Sequence, residues 1–459
     1  MDNNPPKRRF FHKEGAISMN TPGNPSRISN QELHKINREL AAQEAVDVGP
    51  PEMVSSIPST IEGFNVLPEY EISLPESVTS ALGTLATRYN QAFSDKVMLG
   101  HVEEDSDYQH TKNPDGPYSS TFYQIDMAGL PSSFLDRCVD GTFTPEQIEQ
   151  IVASRVFEYE DSMAMYNLMR GILPEHGFAK GFDEALDALK DHTDMDEVVV
   201  AAVDGDKYRA LLATELGPDH ANIDVKQVSG FDRYVGPDEI DELGSHTLVY
   251  ARTSPPPKAQ AKPELYNISN VPHLADRDKR SHLRSMSMTL NIDGPHDPNN
   301  PRRRANDTKA ALPTVHPFSH IVDRDSLAQF KDEAISIQKK FGLEGGDRLR
   351  YKPVEAYGAY RQGNGTVDSL FDKGSRLYNQ VNKHGAYMLQ PEIPGAKIET
   401  GYGNFGFIDR VFVARNPETN QFEVFGGFRN LLPQDNREAR KNNYHGNGDA
   451  VWAPIVPQQ

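Results

Sequence analysis

The 459-residue sequence predicts an α/β (α+β) fold, a mixed sheet flanked by helices with a disordered N-terminal tail and a Pro-rich insertion. Three observations predict it. Apolar residues recur at helical spacing through residues 75–189, and continuous apolar runs replace that period beyond residue 197. Tyr357–Leu389 then reads as an apolar segment, a glycine-rich turn, an amphipathic helix and a second apolar segment.

Residues 1–70 are rich in Asn, Pro, Ser and Gly and are expected to be largely disordered, with one short helix. Ser29 and Glu32 form a capping-box pattern there, and Leu33, Ile36, Leu40 and Ala41 follow on one narrow face, as in a docking helix. The front half, 71–253, begins with a helix over Pro75–Phe93 on the face of Val78, Leu82, Leu85, Tyr89 and Ala92. A shorter helix is expected over Pro131–Val139, and a longer one after Thr144 as cap with Pro145 in its first turn. Tyr166–Leu173 and Phe182–Leu189 continue the helical run. Val198–Val203, the turn Asp204-Gly205-Asp206 and Tyr208–Glu215 read as a β-hairpin, and Leu248–Ala251 as a further strand.

Residues 254–310 form the Pro-rich linker or insertion, from Ser254-Pro255-Pro256-Pro257 to Arg302-Arg303-Arg304. The last part, 311–459, carries a helix capped by Ser326, a strand near Val354–Ala359, the glycine turn, a helix over 366–382 and a strand at Ala386–Leu389. It closes with a hairpin, Val411–Ala414 and Phe422–Phe425, around Asn416–Asn420.

Composition bounds the function. The chain is 37% hydrophobic and 25% charged, as soluble globular proteins are. Lys and Arg number 48 against 66 Asp and Glu, and the net charge of -18 argues against general nucleic-acid or anionic-membrane binding. Cys138 is the only cysteine, so no intrachain disulfide forms, which suits a reducing compartment. No apolar run reaches membrane-spanning length, and no apolar region follows Lys7-Arg8-Arg9, so a soluble, cytoplasmic protein is expected.

The segment Arg361-Gln362-Gly363-Asn364-Gly365-Thr366, the helix after it and Gly385-Ala386-Tyr387-Met388-Leu389 resemble the pyrophosphate-binding core of the GNAT N-acyltransferase superfamily. With Arg361 first in that motif, its glycine places hold Asn364 and Thr366. The resemblance implies a GNAT-like sheet and transfer of an acyl group from acyl-CoA to a small-molecule or protein amine, with no metal. It also implies that residues 361–366 hold the coenzyme. Glu355 would be the base, and Tyr402 or Tyr387 the acid. One alternative is a non-enzymatic scaffold, with a protein partner reached through the N-terminal tail around Phe10 and Phe11. Another is a metal-dependent transferase built on Asp204 and Asp206. His316, His320, Asp323 and Asp325 carry metal-capable atoms, but Pro317 opposes the helix that would align the histidines, so a polar loop is expected. Arg302–Arg304 lacks interleaved aromatics and reads as a solvated loop, and Cys138 as a buried helix position. Gly-x-x-x-x-Gly-Lys-Ser/Thr and Gly-x-Ser-x-Gly are both absent, which argues against a P-loop ATPase and a serine hydrolase.

Overall fold

The computed structural model of the chain describes residues 27–41, 43–46, 52–54, 64–67, 69–94, 122–160, 178–201, 232–235, 247–251, 266–267, 319–344, 346–353, 362–393, 395–434 and 451–458. Local chemistry places most of the helices. Ser29 Oγ accepts the Glu32 N–H and starts α1 (Asn30–Glu39). Next come α2 (Glu76–Ser94) and α3 (Ser132–Val139), the latter entered through Pro131. At α4 (Pro145–Arg155), Thr144 and Gln147 close the capping box, with Pro145 in the first turn. α5 (Phe178–Thr193) and α6 (Phe330–Phe341) follow. Ser326 does not cap α6; it begins a short 3₁₀ turn, Ser326–Gln329, held by the Asp323 carboxylate. The helix expected over 366–382 is two, α7 (Val367–Leu370) and α8 (Arg376–His384). Gly374, at φ +99°, breaks the run, and Ser375 caps the second piece.

Eighteen strands are described: β1 (Gln43–Ala45), β2 (Glu52–Val54), β3 (Phe64–Val66), β4 (Ile72–Leu74), β5 (Phe122–Ala128), β6 (Val156–Glu160), β7 (Glu197–Ala201), β8 (Arg233–Val235), β9 (Thr247–Ala251), β10 (Tyr266–Asn267), β11 (His320–Val322), β12 (Arg348–Pro353), β13 (Gly363–Thr366), β14 (Tyr387–Pro391), β15 (Lys397–Thr400), β16 (Gly403–Arg415), β17 (Phe422–Pro433) and β18 (Val451–Pro457). They form three sheets. The largest has ten strands in the path β1-β15-β16-β17-β18-β3-β2, with β4 also on β18 and β5 and β6 attached through β16. A small antiparallel sheet runs β11-β14-β12-β13, and a parallel one runs β10-β9-β7-β8.

The expected closing hairpin is present and much longer than expected: β16 and β17 pair from Phe405↔Pro433 to Arg415↔Phe422. Asn416 Oδ1 accepts the Glu418 N–H at 2.9 Å to form its turn. The second strand and the turn of the expected front hairpin lie outside the described residues, and its first strand, β7, pairs in parallel with β8 on one edge and β9 on the other. Residues 202–231, with Asp204 and Asp206, lie outside the described residues, as do Tyr166–Leu173 and Arg302–Arg304. Among the described residues of the expected tail, Leu33 and Leu40 of α1 are buried and β3 pairs with β18; β4, just beyond the tail, also pairs with β18. Among the described residues, no helix is long and apolar enough to cross a membrane.

The main core lies between one face of the large sheet (Ile125, Met127, Val411, Val413, Leu431, Ala453) and helices α2–α4. It continues into the small sheet through Leu349, Tyr351, Tyr387 and Leu389, which share a face with α6–α8.

Candidate functional site

Residues 363–366 form a strand rather than a phosphate-binding turn. Gly363, Asn364, Gly365 and Thr366 are β13, registered against Tyr351, Arg350, Leu349 and Arg348 of β12. β13 and β14 both run antiparallel to β12 and lie on either side of it, so the adjacent, splayed parallel pair of a GNAT core is not formed. A β-carbon on Gly363 would strike the Tyr351 ring, and one on Gly365 would strike Ser369 and Leu370. Close packing therefore explains both glycines. Asn364 bridges Arg348 and Glu392, and Thr366 Oγ1 caps α7. Gln362 leads into β13, while Arg361 and the expected base Glu355 lie outside the described residues. Tyr387 is fully buried in the small sheet, its hydroxyl donating to Gln380 Oε1 at 3.0 Å. Tyr402 is 54% exposed at the β15–β16 turn of the large sheet. The two candidate acids thus sit on different sheets.

His320 pairs with Glu333, and Asp323 accepts the N–H groups of Asp325 and Ser326. Among the described residues no group of three or more His, Cys, Asp or Glu could hold a metal. Burial pushes the Cys138 thiol up to about 12, against the lowering effect of Arg137, which leaves it inert at neutral pH.

A different feature gathers chemistry in one place. Period two along β12 puts Arg348, Arg350 and Lys352 on one face of the small sheet, opposite the face packed on the helices. They grade inward: Arg348 is exposed, Arg350 half-buried and Lys352 buried. The register sets Asn364 and Gln390 beside Arg350, and Met388 beside Lys352. Arg348 is held by Glu392 at 3.0 Å and Asn364 at 2.7 Å. Arg350 has no hydrogen-bond or ion-pair partner among the described residues. The Lys352 ammonium lies 5.9 Å from the centre of the Phe157 ring on β6, so the inner end of this row meets the large sheet. Beside it is a small crevice of roughly 10 Å³, lined by Ala153, Ser154, Phe157, Ser319, Gln390 and Ile393 among others. One wall comes from α4 and β6, and the other from β14 and the connector to β15.

The large sheet adds two polar layers. On its core face, Arg429 donates to both Asp409 oxygens at 2.7 and 2.9 Å, to the Tyr70 hydroxyl at 3.1 Å and to the Leu130 carbonyl at 2.5 Å. Arg155 binds the Ala128 and Gly129 carbonyls beside it. This buried network is fully paired and structural. The opposite face carries Gln124, Asp126 and Arg410, with Arg410 3.4 Å from Asp126, and then Asn430. Asn430 is fully buried between Ile408 and Trp452, and neither end of its amide is hydrogen-bonded among the described residues.

The cationic row has a sequence signal, the alternation Arg348-x-Arg350-x-Lys352, just before the expected strand Val354–Ala359, which lies outside the described residues. Asn430 has none, since its burial depends on pairing with β16 and β18.

The sequence matches no protein-family model and no curated protein. Among solved structures, the chain is similar to a Methylobacillus flagellatus KT protein described as a gamma-glutamylcysteine synthetase, at 11% identity and TM-score 0.33 over 84% of this chain and 86% of that one. It is also similar to the D-cycloserine synthetase DcsG, at 10% identity and TM-score 0.19 over 50% of this chain and 89% of that one. Likenesses at this level establish no shared fold and assign no family.

Proposed function

We infer that the chain is a nucleotide-dependent ligase of the ATP-grasp type, holding a nucleoside triphosphate between its small antiparallel sheet and its large sheet. The row Arg348, Arg350 and Lys352 carries this reading: three cations on one strand face, increasingly buried toward the large sheet, in a chain of net charge -18. A lysine ammonium is a compact point charge suited to phosphate, and burial strengthens its attraction.

In such a ligase the terminal phosphoryl group passes to a carboxylate oxygen, releasing the diphosphate. An amine nitrogen then attacks the acyl phosphate, the amide bond forms, and phosphate leaves. Lys352 and Arg350 would neutralise charge on the phosphates. The amide product matches the acyl-CoA resemblance, but the acyl donor differs.

Thermal melting with MgATP and with coenzyme A separates the readings. MgATP is expected to raise the melting temperature, and Lys352→Met to abolish the shift while leaving the unliganded melt in place. A shift with coenzyme A alone would restore the acyltransferase reading, and no shift with either would favour the scaffold. ADP release against a panel of carboxylates and amines then identifies the substrates.

A further inference from the structure

The outer end of the cationic row already holds an anion, and that anion belongs to the chain itself. Pro391 ends β14 opposite Leu349, so the next residue, Glu392, stands opposite Arg348 on the face of the row. The Glu392 N–H donates to the Arg348 carbonyl at 2.8 Å, which fixes the root of the side chain. Its Oε2 then accepts from Arg348 Nε at 3.0 Å, and its Oε1 from Asn364 Nδ2 at 2.7 Å. Arg348 Nη2 closes the triangle on Asn364 Oδ1 at 2.7 Å. Glu392 and Asn364 lie on opposite sides of β12, so the carboxylate reaches across the strand that carries the cations. Arg350, in register with Asn364, is the next cation along. Arg348 is 51% exposed and Glu392 31%, so solutes reach this end of the row and the pair is held loosely.

We propose that Glu392 is a built-in competitor for the nucleotide site, its carboxylate occupying Arg348 and Asn364 until an incoming triphosphate displaces it. The proposal rests on the nucleotide reading above and adds the regulation of that site. A phosphate oxygen offers Arg348 the same charge-assisted bonds as the carboxylate, so the exchange leaves no donor unmet. The released carboxylate stands at the rim and returns to water. A triphosphate long enough to reach Arg350 as well outcompetes Glu392, whereas a lone phosphate gains little by the exchange. Arg348 therefore joins Arg350 and Lys352 only in the liganded state.

Titration calorimetry with MgATP tests this on the full chain. Removing a competing exposed ion pair is expected to tighten binding about 2- to 5-fold in Glu392→Gln. Asp368→Asn, which removes an exposed carboxylate from the neighbouring helix α7, should keep the wild-type affinity. In an Arg348→Met background the gain from Glu392→Gln should vanish, because the carboxylate has no guanidinium left to occupy. Wild-type or weaker affinity in Glu392→Gln, or an equal gain in Asp368→Asn, would overturn the proposal and leave the nucleotide site standing. So would a gain that persists in full in the Arg348→Met background. Should Arg348→Met fail to fold or to bind, the comparison of Glu392→Gln with Asp368→Asn decides alone. If neither the wild-type chain nor Glu392→Gln takes up MgATP, the nucleotide reading falls and the proposal with it.

Discussion

Asn430 and Arg429 are neighbours on β17 and point to opposite faces of the large sheet, with opposite outcomes. The Arg429 guanidinium is buried, yet its bonds to Asp409, Tyr70 and Leu130 leave it paired, and its pKa is raised although burial alone would lower it, with Asp409 the chief opposing cause. The Asn430 amide is equally buried and has no such partners among the described residues. An unmet buried polar group costs about 1–3 kcal/mol, so Asn430→Val should stabilise the unliganded chain by an amount of that order, measured by urea unfolding. A loss of stability instead would mean the amide is already engaged. Residues of this kind are barely legible in a sequence. Arg348, Arg350 and Lys352 could be read from alternation alone, whereas Asn430 is buried by Ile408 and Trp452, each about twenty residues away along the chain.

Among the elements, what could be read was local. The caps of α1 and α4 and the Asn416–Asn420 turn follow from side chains within four residues of the backbone groups they satisfy. The partners of β7 and the strand character of Gly363–Thr366 depend on distant segments and leave no local signal. Glycines suited to a phosphate turn equally suit a strand crossed by the Tyr351 ring. α1 also carries a pH response. His34 Nε2 lies 3.0 Å from Asp347 Oδ2, and Arg38 lies 3.5 Å from Oδ1. Burial would raise the Asp347 carboxyl, but the Glu344 N–H, His34 and Arg38 together hold it below its usual 3.8. A lowered folded pKa contributes stability that is present above pH 3.8 and is lost as pH falls through the folded value. Melting temperatures between pH 5 and 2.5 should therefore drop less steeply in Asp347→Asn than in wild type. Parallel curves would remove α1 from the acid response.

For the molecule as a whole, α1 is the brace between two sheets. One side bonds the large-sheet helix α4 through Ile28–Gln150 and Asn37–Ser154, and the other bonds α6 and the loop beyond it through Asn30–Lys340 and His34–Asp347. Deleting residues 1–41 should uncouple the small sheet from the large one. Calorimetry should then show two melting transitions where the full chain shows one, and a single transition in the truncated chain would show that the connector between β14 and β15 is coupling enough.

The stitching of β5 onto β16, and of β3 and β4 onto β18, sets the order in which this chain can mature on the ribosome. The Leu130 N–H waits for a carboxylate 279 residues downstream, so nearly the whole polypeptide must emerge before the central ladder can close. Until then the apolar edge of β5 stands bare for many seconds at ordinary elongation rates, an exposure that invites chaperone capture in the cell and clumping during recombinant expression.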